Sequence, residues 1–440
     1  MSKGQVAIVG FGYIGSVIGA VLADEGYTVY GIENNERIIS AVQNRKSPFR
    51  EPELEELIEK NVASERLFVS NDSSVVKYCE TVIVTVGTPL NEAYNADTSQ
   101  IEAAIKSIAP YLQEDALVMI KSTVPPNTTK ELVAPLLREV KGVKIAFCPE
   151  RLAEGKAIQE FKTIPIVVGG VDESSTSAAA DFWRNSLGIA VMEVTDATTA
   201  EMVKLSDNLW IDLNIALAGE LAKIADQLQI DVLEIIGAAN SLPKGSRGQH
   251  VNILTPSVGV GGYCLTKDPW FVQHLGTEYG IELNLPKAGR IVNDSMPHYS
   301  AGLIDSHLKS LGEPSNLKIA ILGIAFKNNT GDCRFTPTKP VIDELLRYGY
   351  NLEICDPWTS EHDEAMVTSL PVSKDIEKTV LGADCVAFLA GHDEFQELPL
   401  ERIAELANDN ALIFDGRRFF TKEEIKILNR LGLSYKGVGR

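Results

Sequence analysis

The sequence predicts an α/β chain with two parallel-sheet regions and a helical segment between them. Three observations predict it. Short, continuous apolar runs recur and end in Gly, Pro or hydroxyl residues, as do strands buried on both faces of a parallel sheet. A long stretch from Ala197 carries apolar residues at helical spacing. Strand-like runs then resume at Leu317, after a linker at Ser315-Asn316. The expected organisation is an N-terminal Rossmann domain (1–196), a central helical segment with a long helix (197–300), and a C-terminal Rossmann-like α/β domain (316–440).

The first run, Val6 to Val9, leads into Gly10-Phe11-Gly12-Tyr13-Ile14-Gly15 and then the helical pattern of Ile18, Val21 and Leu22. A second strand, Thr28 to Ile32, ends in Glu33, 23 residues after Gly10. GxGxxG alone is weak, but between a strand and a helix, with an acid at that distance, it marks a dinucleotide site. Gly10, Gly12, Tyr13, Ile14 and Gly15 are then the residues over which a pyrophosphate meets the N–H groups of a helix N-terminus. A carboxylate at Glu33 accepts ribose hydroxyls and repels a 2′-phosphate, which favours NAD over NADP; nearby Arg37 moderates that preference. The alternative is a glycine turn without a ligand. Further strands, Thr81 to Val86 and Ala116 to Lys121, end in Gly87-Thr88-Pro89 and Ser122-Thr123-Val124-Pro125-Pro126. Ligands lie at the carboxyl ends of such strands, so Thr88 and Thr123 are candidates, with helix capping as the other explanation.

Lys144 to Phe147 ends in Cys148-Pro149-Glu150-Arg151-Leu152-Ala153-Glu154-Gly155, and runs at Ile164 to Gly169 and Ala190 to Val194 complete the first domain. The long helix that follows holds Met202, Leu205, Leu209, Leu213, Leu217 and Leu221 on one stripe, with no Gly or Pro before Gly219. It suits either a homodimer seam or an intrachain core. Lys204 and Asn208, one turn apart, would ordinarily mark a solvated face. The passage Ser257 to Trp270 argues otherwise. Cys264 follows Gly259, Gly261 and Gly262 at the opening of a helix, where a thiolate is favoured, and Asp268 lies one turn on. A buried structural cysteine needs no such loop. Lys287 to Asn293 reads as helix leading to Met296-Pro297. In the last domain, Leu317 to Gly323, Leu352 to Cys355, Cys385 to Leu389 and Leu412 to Phe414 read as strands. No second GxGxxG occurs there, while Lys327, Arg334, Lys339 and Arg417 sit at loop positions suited to a phosphorylated ligand.

Composition narrows the field. The 440 residues carry 41 Lys and Arg against 60 Asp and Glu, a formal charge of −19, so nucleic acid is not an expected partner. The hydrophobic share of 45% with 23% charged residues is that of a folded globular chain. No apolar run approaches the roughly 18 residues that span a bilayer. The opening MSKGQVAIVGFG enters a strand without signal-peptide architecture, and the six cysteines show neither CxxC pairs nor metal spacing. We therefore expect a reduced, cytoplasmic protein without a metal.

GFGYIG, VGTP, STVPPNTT, PERLAEG, AEMVKLSDN, GVGGYCLTKDPWF, VNDSMP, GIAFKNNTGDCR and the late DP, in this order, resemble the nucleotide-sugar 6-dehydrogenases, the UDP-glucose and GDP-mannose dehydrogenase family. The resemblance implies NAD, a UDP-sugar substrate, a dimerisation segment and a four-electron oxidation of the sugar C6 alcohol to a carboxylate, serving polysaccharide biosynthesis. It implies Cys264 as the nucleophile, through a thiohemiacetal and a thioester, with Lys204 and Asn208 stabilising developing oxygen charge. Asp268 and Thr123 match positions that organise water and proton transfer, and Glu150 the base for thioester hydrolysis. It also places Glu150, Arg151, Leu152, Lys204, Asn208, Gly261 and Lys327 against substrate, Arg247 loosely so, and Thr88, Thr123, Glu154 and Arg334 against cofactor. Arg151-Leu152 replaces the Phe-Leu usual in UDP-glucose enzymes, and with HVNI and VNDSMP it points to UDP-N-acetylhexosamines, UDP-N-acetyl-D-mannosamine first. Lys267 and Glu154-Gly155 are similar to the UDP-glucose branch. A two-electron β-hydroxyacid dehydrogenase would need neither the cysteine nor a second α/β domain, and a nucleotide-sugar sensor would not need Cys264, Lys204 and Asp268 intact.

Overall fold

The computed structural model describes residues 3–91, 94–243, 245 and 250–440. They divide into two compact units, 1–207 with 270–282, and 208–269 with 283–440.

The first unit is built on eight strands: β1 (Gln5–Val9), β2 (Thr28–Ile32), β3 (Leu67–Ser70), β4 (Thr81–Val84), β5 (Leu117–Ile120), β6 (Lys144–Phe147), β7 (Ile166–Gly170) and β8 (Val191–Glu193). Their order is β3-β2-β1-β4-β5-β6-β7-β8. Pairings are parallel except β6 with β7, where Phe147 faces Gly169. Central strands such as TVIV and LVMI are buried on both faces, which explains their unbroken apolar sequences. Ile8, Ile83 and Met119 point to one core with Trp183, while Val9, Val84 and Ile120 point to the other with Ile101 and Ile105. Strand order reverses between β1 and β4. Helix α1 (Tyr13–Asp24) starts at the end of β1, beside that crevice.

The second unit carries β9 (Lys318–Leu322), β10 (Asn351–Cys355), β11 (Val372–Ser373), β12 (Cys385–Phe388), β13 (Leu412–Asp415) and β14 (Ser434–Gly437), all parallel in the order β11-β10-β9-β12-β13-β14. Helix α2 (Ala197–Leu228) is continuous over 32 residues and passes from the first unit to the second at Asn208. Helix α3 (Tyr263–Glu278) passes back at Trp270. Helix α4 (Leu285–Leu308) extends well beyond the expected Lys287–Asn293 and contains Pro297. An internal proline costs about 3 kcal/mol. Met296, Ile304 and Leu308 are buried against Ile319, Ile321 and Phe414, at about 1.5–3 kcal/mol each, so packing carries the helix through. Among the described residues no helix is long and apolar enough to cross a membrane.

Candidate active site

The glycine loop after β1 requires glycine for close packing at two positions and is open at the third. Gly10 has φ +88° and lies against Thr85 and Val86 at the end of β4. A Cβ on Gly15 would stand 2.1 Å from the Gly10 carbonyl oxygen, so that position admits only glycine. A Cβ on Gly12, by contrast, would meet nothing within 4 Å. The N-terminus of α1 has no side-chain cap and no acid in its first turn, leaving its N–H groups for an anion. This cradle fits a dinucleotide pyrophosphate. Glu33 accepts N–H groups from Phe11 (2.8 Å), Asn34 (2.8 Å) and Asn35 (3.0 Å), so the carboxylate also fixes the loop. Arg37 is exposed on the following helical turn. Tyr13 donates to Glu51, whose oxygens also accept the N–H groups of Gly155 (2.6 Å) and Ala157 (2.7 Å). Burial first, then Glu51, raises the Tyr13 phenol well above its ordinary range. Glu51 thereby ties the glycine loop to the segment holding Glu154, a link invisible in sequence.

At the ends of β4 and β5, the buried Thr88 hydroxyl donates to the Thr123 carbonyl, and Ser122 donates to Val86 (2.7 Å). Thr88 therefore joins the two strand ends. Glu150, nearly buried, accepts the Leu152 N–H through Oε1 (2.6 Å), while its buried Oε2 has no hydrogen-bond partner and lies 3.5 Å from Lys121 Nζ. An acceptor left open in this way is placed to take a proton or a ligand hydroxyl. Arg151 donates to the Pro165 carbonyl and stands 3.9 Å from Asp207, and Leu152 packs on the adjoining core. Lys204 is buried on α2. One turn earlier, Glu201 accepts from the Asn127 N–H (2.6 Å), the Thr129 N–H (2.8 Å) and the Thr129 hydroxyl (2.6 Å), holding the turn after Thr123. Its burial pushes its carboxyl up to about 7 against these donors.

In the second unit, Cys264 is the second residue of α3 and the exposed cysteine of the chain. The other five are buried, and burial pushes the thiols of Cys79 and Cys355 up to about 12 and Cys148 to about 11. The three glycines before Cys264 are spatial requirements: a Cβ on Gly261 would lie 2.5 Å from Phe326 Cβ, and Gly262 has φ +87°. One turn beyond, Asp268 is fully buried, with Oδ1 2.6 Å from Lys267 Nζ and Oδ2 accepting from the Asn208 amide at 2.5 Å. Asn208 is itself buried, so the helical face on which it lies is not a solvated one.

The loop after β9 carries Phe326 and Lys327. The buried Asp356 of the DP motif accepts the N–H groups of Ile324 (2.7 Å) and Ala325 (3.2 Å) and thus sets the turn. His392 takes the Asn329 N–H on Nδ1, so Nε2 carries the proton toward Asp356, 3.2 Å away. Burial acts to raise the Asp356 carboxyl, but His392 and the backbone donors leave it below its usual range. Lys327 is half-buried. Arg334 pairs with Asp332 and faces the Tyr263 ring at 6.0 Å. Two expected phosphate ligands are otherwise engaged. Arg417 donates to the Leu389 (2.7 Å) and Phe326 (3.0 Å) carbonyls, because its buried guanidinium needs acceptors; burial lowers it to about 10. Lys339 pairs with Asp343 at 3.0 Å. Arg247 lies outside the described residues.

A glycine cradle at a strand-order reversal, with an acid at the end of β2, defines a nicotinamide-dinucleotide dehydrogenase. The family is set by the whole chain. Residues 4–186, 198–295 and 320–422 match the NAD binding, central and UDP binding domains of the UDP-glucose/GDP-mannose dehydrogenase family, and the chain belongs to that family. It is 32% identical to a UDP-N-acetyl-D-mannosamine dehydrogenase of Methanococcus maripaludis, over 99% of this chain and 97% of the relative. The structure of the UDP-D-ManNAc dehydrogenase of Pyrococcus horikoshii matches with a TM-score of 0.87 at 31% identity, covering 99% of each chain. A UDP-glucose dehydrogenase from Pyrobaculum islandicum also gives 0.87, at 27% identity over 99% and 98% of the chains. The protein is an NAD-dependent nucleotide-sugar dehydrogenase.

Proposed function

We propose that the protein oxidises the C6 hydroxymethyl group of a UDP-N-acetylhexosamine to a carboxylate in a four-electron reaction through Cys264, with UDP-N-acetyl-D-mannosamine as the first candidate. The observation that carries the reading is Cys264 itself: an exposed thiol in the first turn of a helix, behind a glycine loop and one turn from a buried Asn208–Asp268–Lys267 cluster. NAD, when bound, accepts one hydride from C6 in each of two rounds, so one alcohol and one water yield one carboxylate, two NADH and three protons. Gly10, Gly12, Tyr13, Ile14, Gly15 and Glu33 hold its adenosine diphosphate end, with Arg37, Thr88, Glu154 and Arg334 contributing. After the first oxidation the Cys264 sulfur adds to the aldehyde carbon, and the thiohemiacetal keeps that aldehyde from escaping. The second oxidation leaves a thioester. Water attacks its carbonyl, Glu150 takes the proton, and the carbon–sulfur bond breaks to restore Cys264. Lys204 and Asn208 donate to the oxygen that gathers charge, a contribution of about 3 kcal/mol for one well-placed donor. Thr123 and Asp268 order the water and the proton path.

The substrate contacts assigned to Glu150, Arg151, Leu152, Arg247, Gly261 and Lys327 belong to the same reading. So do three functional segments: 1–196 for NAD, 197–300 for dimerisation and the cysteine loop, and 316–440 for the UDP moiety. A homodimer is favoured by an exposed apolar stripe on α2, where Trp210, Leu217, Ile224 and Leu228 recur at coiled-coil spacing. A reaction that draws on NAD and a sugar nucleotide belongs in the cytoplasm, and its product suits polysaccharide biosynthesis.

The test is the number of NADH formed per sugar nucleotide, with NAD in excess, across UDP-N-acetylmannosamine, UDP-N-acetylglucosamine, UDP-N-acetylgalactosamine, UDP-glucose and GDP-mannose. Two NADH from a UDP-N-acetylhexosamine is the expected result. Two from UDP-glucose alone would move the substrate to that branch, and one would remove the thioester stage. Cys264→Ser should bind both ligands yet fail to complete turnover; wild-type steady-state turnover in that variant would end the nucleophile assignment.

A further inference from the structure

The motif that carries Cys264 contains a defect. Pro269 lies inside α3, five residues after the cysteine. A proline has no N–H, so the carbonyl four residues back, that of Leu265, loses its helical donor. Leu265 is the residue next to Cys264, in the turn that presents the thiol. The missing donor arrives from another helix: Arg290 of α4 donates from Nη1 to the Leu265 carbonyl at 3.3 Å.

Arg290 is built for that duty. It is buried to 2% exposure, and the same Nη1 also contacts Oδ1 of the fully buried Asp212 of α2 at 2.6 Å. Its Nη2 pairs with Asp294. Asn293 donates to Asp212 Oδ1 (2.8 Å) and to the Asp212 carbonyl (2.9 Å), which locks the carboxylate that aims the guanidinium. A Cβ on Gly289 would fall 2.8 Å from Leu213 Cδ2, so the glycine before Arg290 lets α4 approach α2 closely enough for this reach. The planar fork of arginine serves three acceptors at once, which one lysine ammonium cannot do in the same geometry.

We propose that Arg290 is a positioning residue for the nucleophile: it supplies the hydrogen bond that Pro269 withholds from Leu265, and so sets the turn that presents Cys264. This rests on the reading of Cys264 as the nucleophile. A simple buried ion pair with Asp212 would stabilise the helices equally well in the absence of Pro269. Only the positioning role couples residue 290 to residue 269, and that coupling is the point to test.

The experiment is a double-mutant cycle in the full-length protein with Arg290→Lys, Pro269→Ala and the pair. Lysine keeps a positive charge opposite Asp212, and alanine returns an N–H to the Leu265 carbonyl. The first readout is the pH profile of Cys264 alkylation by iodoacetamide, localised by mass spectrometry. The second is kcat against KM, with thermal melting as the check on folding. Loss of a buried hydrogen bond is expected to slow alkylation and lower kcat about tenfold in Arg290→Lys, with KM for the sugar nucleotide within about twofold. Pro269→Ala should restore most of both losses in the double variant. Independent effects at the two positions would overturn the proposal, as would an unchanged alkylation profile in Arg290→Lys or an unfolding of that variant which Pro269→Ala does not reverse. The coupling is read on the thiol without turnover. Wild-type turnover in Cys264→Ser would therefore defeat the nucleophile reading separately.

Discussion

Replacing Glu33 with Ser removes the carboxylate at the end of β2 and leaves the fold of the strand untouched. The side chain is half-buried and already accepts three backbone N–H groups, from Phe11, Asn34 and Asn35. Its remaining acceptor capacity is what a ribose would use. NADP keeps the 3′-hydroxyl, so the preference turns on the 2′-hydroxyl bond, about 1 kcal/mol after reduction for solvent. A 2′-phosphate at roughly 6 Å would be repelled by about 1–2 kcal/mol at a water-like dielectric. The sum, about 2–3 kcal/mol, corresponds to roughly 30- to 100-fold in the ratio of kcat/KM for NAD over NADP. Glu33→Ser should lose most of that ratio, and Arg37, exposed four residues further on, should favour the phosphate once the acid is gone. Glu33→Gln separates the two duties of the side chain. Its amide oxygen can still accept the Phe11 N–H, so the glycine loop keeps its anchor while the charge disappears. Steady-state kinetics with both cofactors for the three proteins decides the matter. A ratio within twofold of wild type in Glu33→Ser would refute the ribose contact.

Gly15→Ala should abolish NAD binding, measured by calorimetry, because its Cβ cannot share space with the Gly10 carbonyl 2.1 Å away; UDP binding should persist, and retained NAD affinity would show that the loop relaxes. Glu201 gives a pH signature: its carboxyl is pushed up to about 7 from an ordinary 4.5 by burial, so the folded protein holds a proton that the unfolded chain has lost. Stability should therefore fall by up to about 3 kcal/mol as pH rises through that window and level off above it. Urea midpoints from pH 4.5 to 8 should show this slope in the wild type and a flatter one in Glu201→Gln; equal slopes would remove Glu201 as the source. The proposed dimer should dissociate to monomer in sedimentation when Leu217→Glu is combined with Ile224→Glu, since both side chains are about half exposed on the α2 stripe; a dimer unaltered by the pair would place the interface elsewhere.

Most of the strands legible in sequence are buried on both faces, although the edge strand β8 and the part-exposed β10 are legible too. Strands β1, β4, β5, β6, β9 and β12 lie inside their sheets, and their apolar runs are continuous for that reason. Strand β3 lies at an edge with Phe68 exposed, and β14, reading Ser-Tyr-Lys-Gly, is half-exposed along its length, so neither has such a run. The sequence predicts a shorter helix α4 because Pro297 is a local signal, whereas the packing that overrides it is tertiary. The site divides in the same way. A glycine loop and a cysteine behind three glycines are local patterns with local causes. Glu51, Glu201 and Arg290 act on partners 104, 72 and 78 residues away, and a single sequence holds no record of those pairings. A weak signal did exist for two of them: Glu201 precedes Lys204 by one helical turn, and an internal proline five residues after a candidate nucleophile implies a carbonyl beside that nucleophile in need of a donor.

The sugar is a different matter, because the backbone does not choose it. Relatives named for UDP-D-ManNAc and for UDP-glucose superpose on this chain with the same TM-score of 0.87, so discrimination has to reside in side chains mounted on a shared frame. Arg151, which the resemblance to UDP-glucose enzymes sets against a Phe, illustrates how such a side chain is held. Its guanidinium donates to Pro165 and lies 3.9 Å from Asp207, so it is anchored within the first unit. The carboxylate of Glu150, immediately before it, instead keeps an oxygen buried and without a hydrogen-bond partner. In the proposed site Arg151 therefore also fixes the path of the 150–155 loop beside the substrate, and Glu150 Oε2, 3.5 Å from Lys121 Nζ, is the acceptor proposed to meet the sugar.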